Sequence, residues 1–221
     1  DWSSDVCSSD LPAHPVLYDR VTGSLVRSTV LHTEGAAGPS GLDAAQWRRL
    51  CTSFHKSSTS LCNSVAAFAR RLATEYVDPA GIAAFVACRL VPLDKNPGVR
   101  PIGICETVRR IVGKAIMVVA GSAVQDAAGS LQLCAGQTAG CEAAVHALRQ
   151  LFDCEGSDGV LLVDASNAFN SLNRAVALQN ILRLCPIIAP VLVNTYRGKA
   201  TLFVSQWRTR SEERRVGKEC R

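Results

Sequence analysis

The stretch that decides the fold is Val160-Leu161-Leu162-Val163-Asp164-Ala165-Ser166-Asn167-Ala168-Phe169-Asn170-Ser171-Leu172-Asn173-Arg174. Four apolar residues, two of them β-branched, lead directly into one carboxylate, and a polar turn follows. This pattern predicts a buried strand that brings Asp164 to the open edge of a sheet, where the carboxylate could hold a metal ion. Ser171 and Asn170 are suitable N-caps for a helix whose apolar residues begin at Leu172.

A plainer interpretation of Asp164 stays open on these residues alone. An aspartate at the carboxyl end of a strand often caps or solvates the turn that follows it. The choice between this role and a catalytic one therefore depends on the sequence upstream.

The composition indicates a globular chain. Its 221 residues are 48% hydrophobic, which is enough to build a core in one domain or two small ones. No secretion signal opens the chain, and no uncharged run approaches the roughly 20 residues of a membrane span. The ten cysteines are scattered singly, which favours reduced thiols in an intracellular protein over a secreted disulfide scaffold. We expect no membrane partner, and the choice between nucleus and cytoplasm stays open.

Both ends of the chain differ from the rest. Residues 1–11 and 210–221 resemble translated sequencing adapters, and we leave them out of the fold prediction. They hold five bases and six acids, so the remainder has 19 bases against 13 acids and a net charge of +6. This mild excess is compatible with a polyanionic partner but is not diagnostic of one.

Helical periodicity covers much of the middle of the chain. Apolar residues recur at helical spacing over about 58–76, 107–125 and 141–152, with a short helix after Asp43 and another after Asp78-Pro79. Arg109, Arg110 and Lys114 fall outside the apolar stripe of their helix. They could line a nucleic-acid groove or keep the helix soluble.

A hairpin is predicted over residues 90–104. Two short extended runs flank Asn96-Pro97-Gly98, in which proline presets one turn angle and glycine allows a positive φ. Lys95 and Arg100 then lie on either side of the tip, where two cations suit a polyphosphate. The alternative is a surface hairpin whose bases are simply solvated.

Three segments in this order resemble the fingers and palm of a reverse transcriptase of eukaryotic retroelements, of the non-LTR or DIRS-like kind. They are the hairpin with Arg100-Pro101-Ile102, the Gly136-Gln137 loop, and the segment from Asp164 to Asn170. The resemblance covers about residues 38–204.

The resemblance implies roles for individual residues. Asp164 would be the first palm carboxylate that holds Mg²⁺, with the Ala165 carbonyl as a backbone ligand. Phe169 would pack under the incoming sugar and reject a 2′-hydroxyl. Lys95 and Arg100 would close on the nucleoside triphosphate, and Gln137 would lie near the template. Such transfer of a nucleotide needs hard oxygen ligands and cations for the departing pyrophosphate.

The chain also departs from the family pattern. Asn170 stands where many relatives have a second aspartate, and the paired aspartates of the family are missing, since no Asp-Asp occurs in the chain. Because one carboxylate holds two Mg²⁺ ions poorly, we expect the chain itself to be inactive and the parent enzyme to be active. An α/β-hydrolase is set aside because no G-x-S-x-G turn is present.

The sequence thus predicts an α+β fold: polymerase fingers and a partial palm, with helices on one side of a small antiparallel sheet. The predicted divisions are an irregular segment at 12–41, a helical fingers-like region with the hairpin at 42–158, and a partial palm at 159–209. The expected partners are an RNA template, a DNA primer and deoxynucleoside triphosphates, with Mg²⁺ as cofactor and an unknown oligomeric state. The alternative function is a non-catalytic basic helical module from a decayed element, which binds nucleic acid or a protein partner through bases around Arg109 and Arg197.

Overall fold

The chain is mainly helical, with one small sheet. The computed structural model describes residues 15–96, 98–133, 136–154, 156, 158–165 and 168–204, without the side chains of residues 169 and 170. Both adapter-like ends lie outside these residues. The helices are α1 (Pro15–Tyr18), α2 (Gly23–Leu31), α3 (Ala44–Thr52), α4 (His55–Thr74), α5 (Ala83–Val86), α6 (Thr107–Ala128), α7 (Gly140–Phe152), α8 (Ala168–Ser171), α9 (Arg174–Leu184) and α10 (Ala189–Tyr196). Short 3₁₀ turns, Pro79–Ile82 and Pro186–Ile188, precede α5 and α10.

The sheet has three strands, β1 (Cys88–Asp94), β2 (Val99–Cys105) and β3 (Leu202–Val204), in the order β2-β1-β3. β1 and β2 form the predicted antiparallel hairpin, whereas β3 runs parallel to β1. The expectation of an antiparallel sheet is therefore corrected to a mixed one. The α+β class is confirmed.

The hydrophobic core lies among the helices and not between helices and sheet. No strand residue belongs to the buried cluster in the described part of the chain. The predicted arrangement, with helices on one side of the sheet, is thus not how this core is built, because the strands are only half-buried or exposed. The cluster comes from α1 to α6, with Leu72, Ile111, Val26 and Tyr18 among its fully buried side chains.

The amino-terminal segment corrects a second expectation. The sequence predicts an irregular segment over residues 12–41, yet α2 is a regular helix within it. Thr22 caps it by accepting a hydrogen bond from Leu25 N at 3.3 Å, and Val26, Thr29 and Val30 bury one face. Serine, threonine and valine are weak helix formers, so packing against α4 and α6 decides the conformation here.

The loop between α2 and α3 is held against the start of α6. The Glu106 carboxylate accepts hydrogen bonds from Ser40 N at 2.6 Å and from Ser40 Oγ at 2.7 Å. Thr107 Oγ1 donates to Leu42 O at 2.7 Å. Gly38 passes so close that an added Cβ would lie 2.7 Å from Glu106 Cα, which only glycine avoids. These contacts fix the position at which the chain leaves β2 and enters α6.

The carboxyl-terminal helices dock on α4 through one buried amide. Asn194 Oδ1 accepts from Val77 N at 3.0 Å, and Nδ2 donates to Leu72 O and Glu75 O at 2.9 and 2.8 Å. The side chain thereby satisfies carbonyls at the end of α4, where a helix leaves them without partners. Tyr18 makes a second link, because its hydroxyl donates to Ile187 O at 2.6 Å.

Among the described residues, α6 has the length and apolar composition of a membrane span, with a mean hydropathy of 1.3 over its most apolar 18 residues. Its inner face, which includes Ile111, Ala115 and Val119, packs in the helical core. A core helix of a folded domain meets the same criteria of length and composition. The opposite side of α6 leaves Met117 and Val118 exposed, so only one face of the helix belongs to the core.

Candidate functional site

The basic arm, residues 88–105, is the hairpin of β1 and β2. Its tip is closed by a hydrogen bond from Lys95 N to Gly98 O at 2.9 Å, and Gly98 adopts the positive φ (+101°) that the turn needs. Pro97 lies outside the described residues. Arg100 stands opposite Leu93, one pair back from the last pair of the ladder. The structure therefore brings Lys95 and Arg100 to the same end of one hairpin, as predicted.

Neither cation of the basic arm is used to hold the fold. Lys95 and Arg100 are exposed, and their side chains make no hydrogen bond or ion pair with the residues that the structure describes. An ammonium group and a guanidinium group in this state keep their full capacity to donate to an anion. The arm can thus meet an anionic ligand without first breaking internal contacts.

The bases of α6 behave differently. Arg110 donates to Glu34 O at 3.0 Å and to Ala36 O at 2.6 Å, and Lys114 Nζ donates to His32 O at 2.8 Å. Arg109 donates to Val86 O at 3.4 Å, with its guanidinium carbon 5.3 Å from the centre of the Tyr196 ring. These three bases hold loops and helix ends together, so the predicted groove-lining role of α6 loses its support.

Arg197 is also committed to the fold. It donates to Val77 O, and its guanidinium carbon lies 3.6 Å from the centre of the Tyr76 ring. Burial lowers the pKa of Arg197, with Tyr76 and Asp78 acting in the opposite direction. Arg109 and Arg197 thus both serve the fold, while the alternative of a basic helical module around them stays a prediction.

The segment that carries Asp164 does not form the predicted strand. Residues 158–165 have no regular secondary structure, and Leu161, Leu162 and Val163 are 87%, 82% and 83% exposed. The prediction of a buried strand is wrong for this chain. Within the described residues the segment has no strand partner, because the sheet consists of β2, β1 and β3 and the segment pairs with neither outer edge.

The other predicted site residues are placed individually. Asp164 and Ala165 are exposed, and Phe169 lies in α8, although its side chain is outside the described part. The predicted caps Asn170 and Ser171 do not start the following helix, because Asn173 Oδ1 accepts from Val176 N at 3.2 Å and begins α9.

Gln137 is exposed in a loop that is tied to α6. Gln125 Nε2 donates to Gly136 O at 2.8 Å, and Gly136 has the positive φ of +74° that glycine tolerates. Within the described residues, no hydrogen bond or ion pair joins this loop or Asp164 to the basic arm. Lys95 and Arg100 lie at the same end of the arm. Their roles, like those of Asp164, Ala165, Phe169 and Gln137, stay predictions.

A complete magnesium site is not present in the described part of the chain. No group of three or more His, Cys, Asp or Glu side chains converges there. Asp164 offers one carboxylate, and Mg²⁺ held by one carboxylate keeps most of its water ligands. The described residues thus bring fewer than three such side chains together at any one point, and further acids would be needed.

Sequence reasoning missed the residues at the base of the basic arm. The ladder places Cys88 opposite Cys105, immediately before Glu106 and α6. Counting outward from the Asn96-Pro97-Gly98 turn would have found this pair, because hairpin register follows from the position of the turn.

Comparisons of the chain with protein-family models, with curated proteins and with solved structures find no match. The inference about function therefore rests on the residues and geometry described above.

Proposed function

We propose that this chain is the fingers and part of the palm of an RNA-directed DNA polymerase, which transfers nucleotides to a primer 3′-hydroxyl. The observation that carries the proposal is the basic arm: the side chains of Lys95 and Arg100 are exposed at one tip and make no hydrogen bond or ion pair with the residues that the structure describes. The order of the hairpin, the Gly136-Gln137 loop and the Asp164 segment supports the same assignment.

The chemistry of the arm suits a triphosphate. Arginine offers paired donors in a planar fork to phosphate oxygens, and lysine adds a compact charge. A hairpin that packs mainly within its own sheet can approach a ligand as a unit. The bases of the helical core lack this freedom, since they donate to backbone carbonyls.

Asp164 is the proposed catalytic carboxylate. It is exposed and follows an apolar segment that other strands would have to cover. Since one carboxylate does not complete a metal centre, we expect no primer extension by residues 1–221 alone. A downstream coding sequence with an aspartate pair would favour the polymerase over the non-catalytic alternative.

The arm can be tested on the chain itself. We expect inorganic tripolyphosphate to bind at low ionic strength, with affinity at least about tenfold weaker in the double variant Lys95→Ala/Arg100→Ala, because two charge-assisted contacts are lost. Lys56→Ala/Arg183→Ala removes the same charge from other exposed positions and is the matched control. Isothermal titration calorimetry measures both. An equal loss in the two double variants would contradict a site on the arm.

The carboxylate can be tested in a chain extended by its natural downstream sequence. We expect Asp164→Asn to abolish primer extension while primer–template binding stays within about twofold, because only the metal ligand is lost. Asp158→Asn, an exposed acid in the same segment, is the control and should retain extension. Extension by the Asp164→Asn variant at the unsubstituted rate would refute the proposed role.

A further inference from the structure

Cys88 and Cys105 face each other at the base of the basic arm. They are directly opposite in the antiparallel ladder of β1 and β2, and both are partly exposed free thiols. Residues opposite each other in such a ladder have side chains on the same face of the sheet. Both thiols therefore project from one face.

The hydrogen-bond pattern shows which kind of pair this is. Cys88 N donates to Thr201 O at 3.0 Å, on the β3 side, so its N–H points away from β2. Opposite residues in an antiparallel ladder alternate between hydrogen-bonded and non-hydrogen-bonded pairs, and the Cα atoms are closer in the latter, at about 4.5 Å. Cys88 and Cys105 thus occupy a non-hydrogen-bonded pair.

Two features farther along the arm agree with this assignment of hydrogen-bonded and non-hydrogen-bonded pairs. Pro92 stands opposite Pro101, and neither residue has an N–H to donate, as a non-hydrogen-bonded pair allows. This pair is four positions from Cys88, an even number, so both pairs are of the same type. At the tip, Lys95 N donates across the turn to Gly98 O, as the alternation requires for an odd-numbered residue.

The closer pair type has the spacing that a disulfide needs. A disulfide joins Cα atoms that are usually 4.4–6.8 Å apart, and a non-hydrogen-bonded pair falls at the short end of this range, at about 4.5 Å. Burial raises the pKa of the Cys88 thiol, the Arg109 guanidinium lowers it, and the Cys105 thiol and the Glu106 carboxylate raise it further.

We propose that Cys88 and Cys105 form a modification site, a cross-strand dithiol that a small-molecule disulfide oxidises to a reversible disulfide at the base of the basic arm. One thiolate attacks the reagent, forms a mixed disulfide and releases one thiol. The second thiolate attacks the protein sulfur of that mixed disulfide and releases the other thiol. Two protein thiols lose two electrons, and the reagent becomes two free thiols.

The buried core cysteines differ from this pair. Cys51 and Cys62 are fully buried between α3 and α4, and burial raises the pKa of Cys51 to about 12. A thiol that is inaccessible and rarely ionised reacts slowly with disulfides. Cys51 therefore reports whether the domain stays folded while the arm cysteines react.

The test uses the wild-type chain and oxidised glutathione. After oxidation, alkylation of the remaining thiols and trypsin digestion, we expect mass spectrometry to find peptide 72–89 linked to peptide 96–109, while Cys51 is alkylated only after unfolding. A dithiol reductant should release the link. Separate alkylation of both arm cysteines in the folded chain, or linkage only after Cys51 becomes reactive, would overturn the proposal.

Thermal unfolding gives a second measurement. Oxidation should raise the melting temperature of the wild type by roughly 5–10 °C, because the disulfide restricts the unfolded arm. Cys105→Ser should lose this gain, and Cys154→Ser, at an exposed cysteine in another part of the chain, should keep it. The peptide measurement decides the proposal even if a serine variant fails to fold. It does so whether or not the chain is part of a polymerase.

Discussion

Helices α6 and α7 both have an apolar face at helical spacing, but the face of α6 is buried and that of α7 is exposed. The inner face of α6, with Ile111 and Ala115, is buried against other helices. The corresponding face of α7 stays open, with Leu148 42% and Phe152 56% exposed. The apolar residues 160–163, which follow α7, are exposed as well.

The difference shows what periodicity does and does not determine. A stripe at helical spacing specifies which face would be buried, but burial needs a second surface of matching shape. α6 finds this surface on α2 and α4. In the described part of the chain, Leu148 and Phe152 stay exposed although α7 forms, and residues 160–163 stay exposed without regular secondary structure.

The residues of the proposed function also lie in different regions: the buried helical core supports the basic arm, and the exposed segment after α7 carries Asp164. The helical core fixes the start of α6 and the exit of the basic arm through Glu106 and Ser40. The proposed carboxylate, Asp164, lies in the open segment. Functional segments are often drawn from the less stable part of a fold, which is held in place by a more stable scaffold.

A matched pair of leucine substitutions tests the comparison with the largest expected effect. Leu72→Ala should lower the free energy of unfolding by about 3–4 kcal/mol, since the side chain is fully buried and leaves a cavity. Leu162→Ala removes the same atoms from an exposed position and should change the free energy of unfolding by no more than about 0.5 kcal/mol. Urea unfolding followed by circular dichroism measures both.

One result of this pair of substitutions would contradict the difference in burial between Leu72 and Leu162. A loss above about 2 kcal/mol for Leu162→Ala would mean that residues 160–163 are packed in solution. The contrast between the buried helical core and the exposed residues 160–163 would then be wrong.

The buried amide that joins α10 to the end of α4 provides a second test. Asn194→Ala should cost about 2–3 kcal/mol, because the buried carbonyl of Leu72 and the partly buried Val77 N and Glu75 O lose their partner. Asn180→Ala, at an exposed position of α9, is the control and should have little effect. A similar small effect for both would show that α10 does not dock on α4 as described.

Much of the fold could be predicted from local patterns. The helix α4, the hairpin and the helix α6 follow from apolar spacing and from the Asn96-Pro97-Gly98 turn, which are local signals. The helix α2 could not be predicted, because its serines, threonines and valines are weak helix formers that tertiary packing overrides. The parallel pairing of β3 with β1 joins residues more than a hundred positions apart, and no local pattern encodes it.

Only those parts of the candidate site that depend on local sequence could be predicted. The tip of the basic arm is local, so Lys95 and Arg100 were placed correctly. The strand before Asp164 depends on a neighbouring strand that the local sequence does not contain. The commitment of Arg109 and Arg110 to carbonyl oxygens was also hidden, since it depends on distant loops that the fold brings to α6.

Tyr18 gives the smallest effect, one that depends on pH. Burial, with a smaller contribution from the Cys185 thiol, raises the pKa of Tyr18 to about 12, and its hydroxyl donates to Ile187 O. A raised pKa in the folded state means that the protonated phenol stabilises the fold fully below about pH 10 and loses this contribution as pH rises through about 12.

We therefore expect the wild type to exceed Tyr18→Phe in stability by about 1 kcal/mol at pH 8, from one hydrogen bond, and to lose this advantage by pH 12. Urea unfolding of both proteins across this range gives the difference, and effects of other titrating groups largely cancel in it. A constant difference from pH 8 to 12 would show that the hydroxyl is not buried against Ile187. The contact between α1 and the carboxyl-terminal helices would then be exposed to solvent, like α7 and residues 160–163, and would not be part of the buried core.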